Sequence, residues 1–388
     1  MFTTRTESAR CGVYLGIYYI VHAIFQGYMS LYFTSRGFNS ADIGTIFALV
    51  ALVSVFAQPV WGTLGDRMAS RNRLLRILIC ASACVALAVK FADSLFLIVP
   101  LMCLYSWFYT SIQPLGDSII LDSLDKRNGK FGPIRLAGCL AFAVANTLLG
   151  KVLSGGREQY TIYLLIGVLL LTFGASYLLP VVHGGQKAGG RKMSFGALLK
   201  NRALMRLLIF TLPLHLTLGY FYTFFSPHFT SLPGGNGTLL GWCYFISATS
   251  ELPFLLMSDR LVEKLGPGKL ISIAAICLMG RWLIVGSTQN VVLVMLSQLF
   301  HSWTFIVMTV SMAKYVTRHV PEELRASGQM LIAIINFGIA RVVGNLGGGL
   351  LADQIGRQDV FLINAAICLV TFLIFAPRYF RRGNNDPA

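Results

Sequence analysis

Charge is what this chain of 388 residues has least of: Asp, Glu, Lys and Arg make up 12% of it, against about a quarter in soluble domains. Acids are the scarcer sign, with 16 Asp and Glu facing 32 Lys and Arg. That shortage excludes an ordinary water-soluble globule. The eight cysteines contain no Cys-x-x-Cys and no His cluster accompanies them. Metal and redox motifs are thereby missing, and small apolar packing is the expected role of the thiols. No Gly-x-x-x-x-Gly-Lys-Ser/Thr occurs, so ATP has no phosphate loop and any energy must come from a gradient. No nucleophile, metal set or cofactor motif marks a membrane enzyme, and neither an enzyme nor a cofactor is expected.

What fills the chain is apolar, at 55% hydrophobic residues. Runs of about 20 residues or more recur from end to end, which is the length a bilayer demands of a helix. Twelve are counted, at roughly 11–34, 41–65, 74–92, 95–121, 132–153, 160–181, 204–229, 238–258, 268–287, 290–313, 326–351 and 358–377. The first is too long for a signal-peptide core and lacks a small-residue cleavage site, so it reads as a retained span. The net charge of +16 raises nucleic acid as a partner, but its placement argues against that. Of the 32 Lys and Arg, 25 fall at or near the termini and the even-to-odd turns, with Arg135 counted among them, five toward the opposite face, and two, Arg281 and Arg341, deep inside spans. This is the positive-inside pattern, and it predicts a multi-pass protein of the inner or plasma membrane with both termini cytoplasmic.

Chemistry concentrates between Gln113 and Phe142. Asp117 lies nine residues before Lys126, at the middle of a basic turn, and Arg135 nine after it. In antiparallel helices the two sit level, roughly 13 Å from the turn at ~1.5 Å per residue. An acid and an Arg inside apolar helices are costly unless they pair or do work. Glu251 and Arg281 repeat the arrangement, 15 residues either side of Gly266 and roughly 22 Å deep. In the first span Tyr14, Tyr18, His22 and Gln26 recur every four residues and form a stripe that faces protein or a watery cavity. In the tenth, Gln298, His301 and Thr304 recur every three. In the eleventh, Arg341 is deep, with His301 the nearest polar group in depth and no acid level with it. Such an Arg invites an anionic group on the substrate, or snorkels, or pairs with Glu251. His215 reads as a packed, hydrogen-bonded histidine, and Gly344-x-x-x-Gly348 permits close helix approach.

The halves echo each other. Gly62-x-Leu64-x-Asp66-Arg67 ends the second span, and Asp259-Arg260 ends the eighth, 193 residues later. Two parallel six-helix halves follow, 1–182 and 201–388, joined by a Gly- and Lys-rich segment, 183–200, expected to be a flexible cytoplasmic linker.

Gly62-x-Leu64-x-Asp66-Arg67 with the basic cluster after it resembles the loop signature of the major facilitator superfamily, with Ala69 where Gly is usual. The resemblance spans the whole chain. It implies that Asp66 and Arg67 help latch the cytoplasmic side shut, with Asp259 and Arg260 as gating candidates in the second half. Asp117, followed by Phe131-Gly132-x-x-Arg135-x-x-Gly138-Cys139, resembles the oligosaccharide:proton symporters of the lactose permease kind and the phenylpropionate permease group. In the former the matching acid and Arg hold the sugar, the acid matching Glu251 contacts it, and the Arg matching Arg281 assists proton coupling. Phe142 stands where that group has Trp, still able to stack on a sugar ring. Thr304 replaces the Glu that releases the proton there, so coupling would fall to Glu251, Asp117 or His301.

The expected fold is all-α: 12 membrane-spanning helices in two pseudo-symmetric bundles around a polar cavity. The expected protein is a monomeric secondary transporter of a small polar solute, a sugar or oligosaccharide first, working by alternating access with proton symport. Uptake of a small organic or aromatic carboxylate and drug-type efflux are the alternatives. Substrate-site candidates are Asp117, Arg135, Glu251, Arg281, His301 and Arg341, then His22, Gln26, Phe142 and Asn146; no metal site is expected.

Overall fold

The computed structural model describes residues 2–125, 131–182 and 195–381. Among these no strand occurs, and twelve long helices carry the chain. The apolar runs have no choice. In hydrocarbon every backbone N–H and C=O must be satisfied within the segment, which a helix does by itself. The first bundle comprises α1 (Phe2–Ser35), α2 (Ser40–Arg67), α3 (Arg71–Lys90), α4 (Leu95–Leu124), α5 (Phe131–Val152) and α6 (Glu158–Leu178). The second comprises α7 (Arg202–Ser231), α8 (Gly237–Leu265), α9 (Pro267–Ser287), α10 (Val291–His319), α11 (Ser327–Ile355) and α12 (Arg357–Pro377). Ten of these are long and apolar enough to cross a membrane. The other two, α1 and α8, are 34 and 29 residues long, and α1 carries the polar stripe described below.

Short polar side chains start the helices. Asn39 and Asp42 form a reciprocal capping box at α2, and Asn201, Asn236 and Asn290 each accept a first-turn N–H of α7, α8 and α10. Gly266, at φ 77°, makes the sharp turn into α9, with Pro267 at its first position. The outer surface stays apolar, with Phe96 at 86% and Leu171 at 64% exposure, as a lipid-facing belt requires.

Within the first bundle α1 packs on α5 and α6, α3 on α4 and α6, and α2 on α4; within the second α7 packs on α11 and α12, and α9 on α10 and α12. Three pairs make most of the contact between the bundles: α5 with α8, α2 with α11, and α1 with α7. Glycines let them approach: a Cβ on Gly44 would lie 3.1 Å from the Gly349 Cα, and one on Gly150 would lie 3.0 Å from the Gly241 Cα.

These joints gather at the face away from the helix ends Phe2 and Arg381, the distal face. There the Asp353 carboxylate accepts the Ser40 and Ala41 N–H groups, Arg357 Nε donates to Ser40 Oγ, and Ser226 Oγ donates to the Gly27 carbonyl. Toward the opposite face α2 and α11 diverge around a cavity of about 620 Å³ lined by Ser54, Gln58, Gln329 and Phe337. The expected linker lies outside the described residues over 183–194, and its last part, Phe195–Lys200, is a short helix rather than a loop. Cys80 and Cys84 point outward from α3 instead of packing, while Cys11, Cys243 and Cys368 are buried; all eight thiols are free.

Candidate functional site

A polar cavity runs between the bundles as two joined chambers, of about 310 and 570 Å³. Both are lined by His22, Gln26, Gln113, Tyr222, Phe337 and Arg341. The stripe on α1 faces this space, as its spacing predicts: Tyr18, His22 and Gln26 line the first chamber, while Tyr14 is buried one turn deeper. Two of the walls are locally underwound. The stretches Trp303–Val307 in α10 and Ala333–Ile339 in α11 are π-helical, and they bring Phe305, Ile306 and Phe337 to the cavity.

On the first bundle's side, Arg135 Nη1 donates to Asp117 Oδ2 at 3.3 Å, so the two groups predicted to be level do meet. The Arg135 guanidinium also lies over the Tyr19 ring, 5.4 Å from its centroid, and Gln113 Nε2 donates to the Tyr19 hydroxyl at 3.3 Å. Arg135 faces the second chamber with its side chain 44% exposed, whereas Asp117 stands behind it at 19%. His22 Nδ1 is 3.2 Å from the Tyr109 hydroxyl, and its ring packs against Phe142 at 5.9 Å. Asn146 is drawn elsewhere. It is fully buried, its Nδ2 donates to the Phe142 carbonyl, and its amide oxygen lies 3.1 Å from where a Cβ on Gly27 would be, so it packs the crossing of α1, α5 and α8 instead of lining a chamber.

On the second bundle's side, Glu251 and Arg281 do not touch directly. His301 stands between them: its Nε2 is 3.2 Å from Glu251 Oε1 and its Nδ1 is 3.1 Å from Arg281 Nη1. Arg281 is fully buried behind this screen, bonded to Gln298 Oε1 at 2.5 Å and Thr304 Oγ1 at 3.2 Å, with its guanidinium 4.2 Å from the Phe221 ring centroid. Of the trio, only Glu251 and His301 line the chamber. Depth counting placed Arg281 level with Glu251 but carried no azimuth, which is why it missed the interposed imidazole. Arg341 lines both chambers and sits over the Tyr222 ring at 5.0 Å; no carboxylate lies within 4.0 Å of it among the described residues. His215 is buried, with Nδ1 2.9 Å from the Thr211 carbonyl, as a packed histidine should be.

In this structure the ion pairs of the loop signature lie within the first bundle. Asp66 pairs with Arg71 of α3 at 2.8 Å, and Arg71 also pairs with Asp122 and bonds Ser118, both on α4. Arg67 is exposed and takes no part, and Arg260 is exposed too, while the Asp259 side chain lies outside the described ones. Sequence reasoning missed Arg71 and Asp122. Their signal was the basic run Arg71 to Arg76 facing an acid one turn beyond Asp117. It also missed Tyr19 and Tyr109 as cavity residues, the second signalled by the four-residue spacing of Tyr105 and Tyr109, and took Gln113 only as the start of a stretch.

The model of the MFS_1 like family matches residues 11–363. The chain is 28% identical over 377 residues to a maltose permease from Geobacillus stearothermophilus, covering 96% of this chain and 95% of that one. It is 22% identical over 367 residues to a lactose permease from Citrobacter freundii, covering 87% and 85%. The solved structure of the nucleoside transporter NupG superposes with a TM-score of 0.85 at 18% identity, covering 97% of this chain and 99% of that one. The fold is thus shared with that transporter's structure, and the chain belongs to the MFS_1 like family of major facilitator transporters.

Proposed function

We propose that the protein carries a small hydroxylated solute, a sugar or oligosaccharide, across the membrane together with a proton. The observation that carries this reading is the convergence of Arg135, paired with Asp117, and Glu251, paired with His301, on one chamber from opposite bundles. Acid and Arg groups in such a space bond sugar hydroxyls, and Phe142 offers a ring face; the maltose and lactose permeases among the relatives support that class. His22, Gln26 and Gln113 complete a polar lining. Residues 1–182 and 201–388 act as the two moving bodies, rocking about the midplane so that the cavity faces one side at a time. The basic connections put the termini in the cytoplasm, so the closed distal face is the external one. Asp66 and Arg67, with Asp259 and Arg260, are the groups proposed to meet across the cytoplasmic face when it closes. One chain holds every residue of this cavity, so a monomer suffices.

Glu251 is the proposed proton carrier. It lines the chamber, and a carboxylate that faces solute on one side and His301 on the other can exchange its proton as the solute comes and goes. Asp117, behind Arg135, and His301 are the other candidates. The test is uptake into proteoliposomes of maltose and lactose, each with and without an imposed pH gradient. Wild type accumulates its solute only with the gradient, and Glu251→Gln retains exchange but no longer concentrates. Concentration by that variant would overturn the assignment.

A second reading rests on Arg341. A cation on the wall of both chambers with no carboxylate beside it favours a solute that brings its own negative charge, such as a sugar acid or another small carboxylate.

A further inference from the structure

We propose that Arg281 holds His301 as the neutral tautomer protonated on Nε2, so that His301 orients Glu251 without ever carrying the coupling proton. The inference rests on the reading above, in which Glu251 is the loading group, and narrows it to one residue of the trio.

A guanidinium offers five N–H donors and no acceptor. Arg281 Nη1 lies 3.1 Å from His301 Nδ1, so that nitrogen must present its lone pair. The ring proton is then on Nε2, 3.2 Å from Glu251 Oε1, which it serves as a donor. Which nitrogen of a histidine is protonated is set by what its other nitrogen faces.

Arg281 cannot turn away to release Nδ1. It is fully buried, its Nη2 is tied to Gln298 Oε1 at 2.5 Å, and its guanidinium plane rests on Phe221 at 4.2 Å and Trp282 at 5.1 Å. Gln298 cannot flip, because its Nε2 is spent on the Val294 carbonyl at 3.0 Å and on Ser297 Oγ at 3.1 Å. The clamp therefore reaches from the backbone of α10, through Gln298 and Arg281, to one nitrogen of His301.

The groups around His301 leave no other route to a charged imidazole. From α8 comes Glu251, from α9 Arg281, from α7 the edge of Tyr222 with centroids 6.5 Å apart, and from its own helix Thr304 and the stacked Phe305. Arg341 of α11 shares the chamber, as do Tyr19 and His22 of α1 and Arg135 and Cys139 of α5. A proton on Nδ1 would break the Arg281 contact and set two cations side by side in a buried place. That leaves Glu251 as the loading group of this trio.

An uncharged group with one acceptor toward Arg281 and one donor toward Glu251 should then do the same work. A glutamine amide is such a group, with nearly the separation of the two imidazole nitrogens. The experiment combines nitrogen NMR on the full-length protein, with histidine ring nitrogens labelled, and pH-gradient-driven maltose uptake in proteoliposomes. The proposal expects the His301 signals, assigned by their loss in His301→Gln, to show a bare Nδ1 and a protonated Nε2 that do not change from about pH 5 to about pH 8. It expects Arg281→Gln to make them titrate. It also expects His301→Gln to recover accumulation that His301→Ala loses. A His301 that titrates in the wild type overturns the proposal, as does a His301→Gln variant that exchanges but cannot accumulate. If wild type accumulates no maltose, the transport reading fails and the spectra still decide the tautomer.

Discussion

The carboxylate of Asp353, at the end of α11, accepts the backbone N–H of Ser40, at the start of α2, at 2.8 Å across the joint between the bundles. Its other oxygen takes the Ala41 N–H at 2.9 Å, and Asn39 of the same helix takes the N–H of Asp42. A residue of one bundle thus caps the first turn of a helix in the other, where the positive end of the helix favours an anion. Opening the distal face must break both bonds. Asp353→Ala should therefore shift the protein toward the state open at that face. The check is the labelling of a single cysteine placed at Val50, on the first chamber's wall, by a maleimide that cannot cross the membrane. The rate from the distal side should rise several-fold in the variant. An unchanged rate would mean that the pair does not hold the face closed.

The joint between α5 and α8 makes a second prediction. Gly150→Val puts a Cβ 3.0 Å from Gly241 N, against backbone that has nowhere to retreat. The protein should still reach the membrane, while exchange falls to background because the distal face cannot close. Gly174→Val, at a position where a Cβ meets nothing within 4 Å, is the matched control and should exchange normally.

Arg71 holds two carboxylates at once, with its own side chain 7% exposed. Arg71→Gln leaves Asp66 and Asp122 facing each other without a cation. The loss should be on the order of 1 kcal/mol, limited by screening of the two partly exposed acids. It is read as a lower Tm in detergent. Arg67→Gln, at an exposed position with no ion pair among the described residues, should leave Tm where it is.

Arg341 decides between neutral and anionic cargo. Arg341→Gln should weaken uptake of a sugar acid about tenfold or more, the worth of one charge-assisted pair, while the matching neutral sugar loses far less. Competition of the two against one labelled solute measures the difference. Equal losses would remove the anionic reading.

Depth along the helices was legible in the sequence and rotation about them was not. Counting from a turn put Asp117 level with Arg135, and the two do pair. The same count put Glu251 level with Arg281 but could not see that His301, from a third helix, fills the gap. Nor could it tell Asn146, which packs a crossing, from Phe142 four residues earlier, which faces the cavity. Spacing fixes which residues share a face; only the packing of neighbouring helices fixes where that face points. The Asp353 to Ser40 link, 313 positions apart, had no local signal at all.

Both bundles grip one solute in the shared cavity under the proposed function, and Cys139 is placed to report on it. It lines the second chamber beside Arg135 and Phe142. In a protein whose other seven cysteines are replaced, the rate at which Cys139 reacts with a maleimide should fall several-fold when the transported solute is present at saturating concentration. The protection should disappear in both Arg135→Gln, from the first bundle, and Glu251→Gln, from the second. A reaction rate that the solute does not change, or protection that survives the loss of either bundle's charged group, would contradict the account.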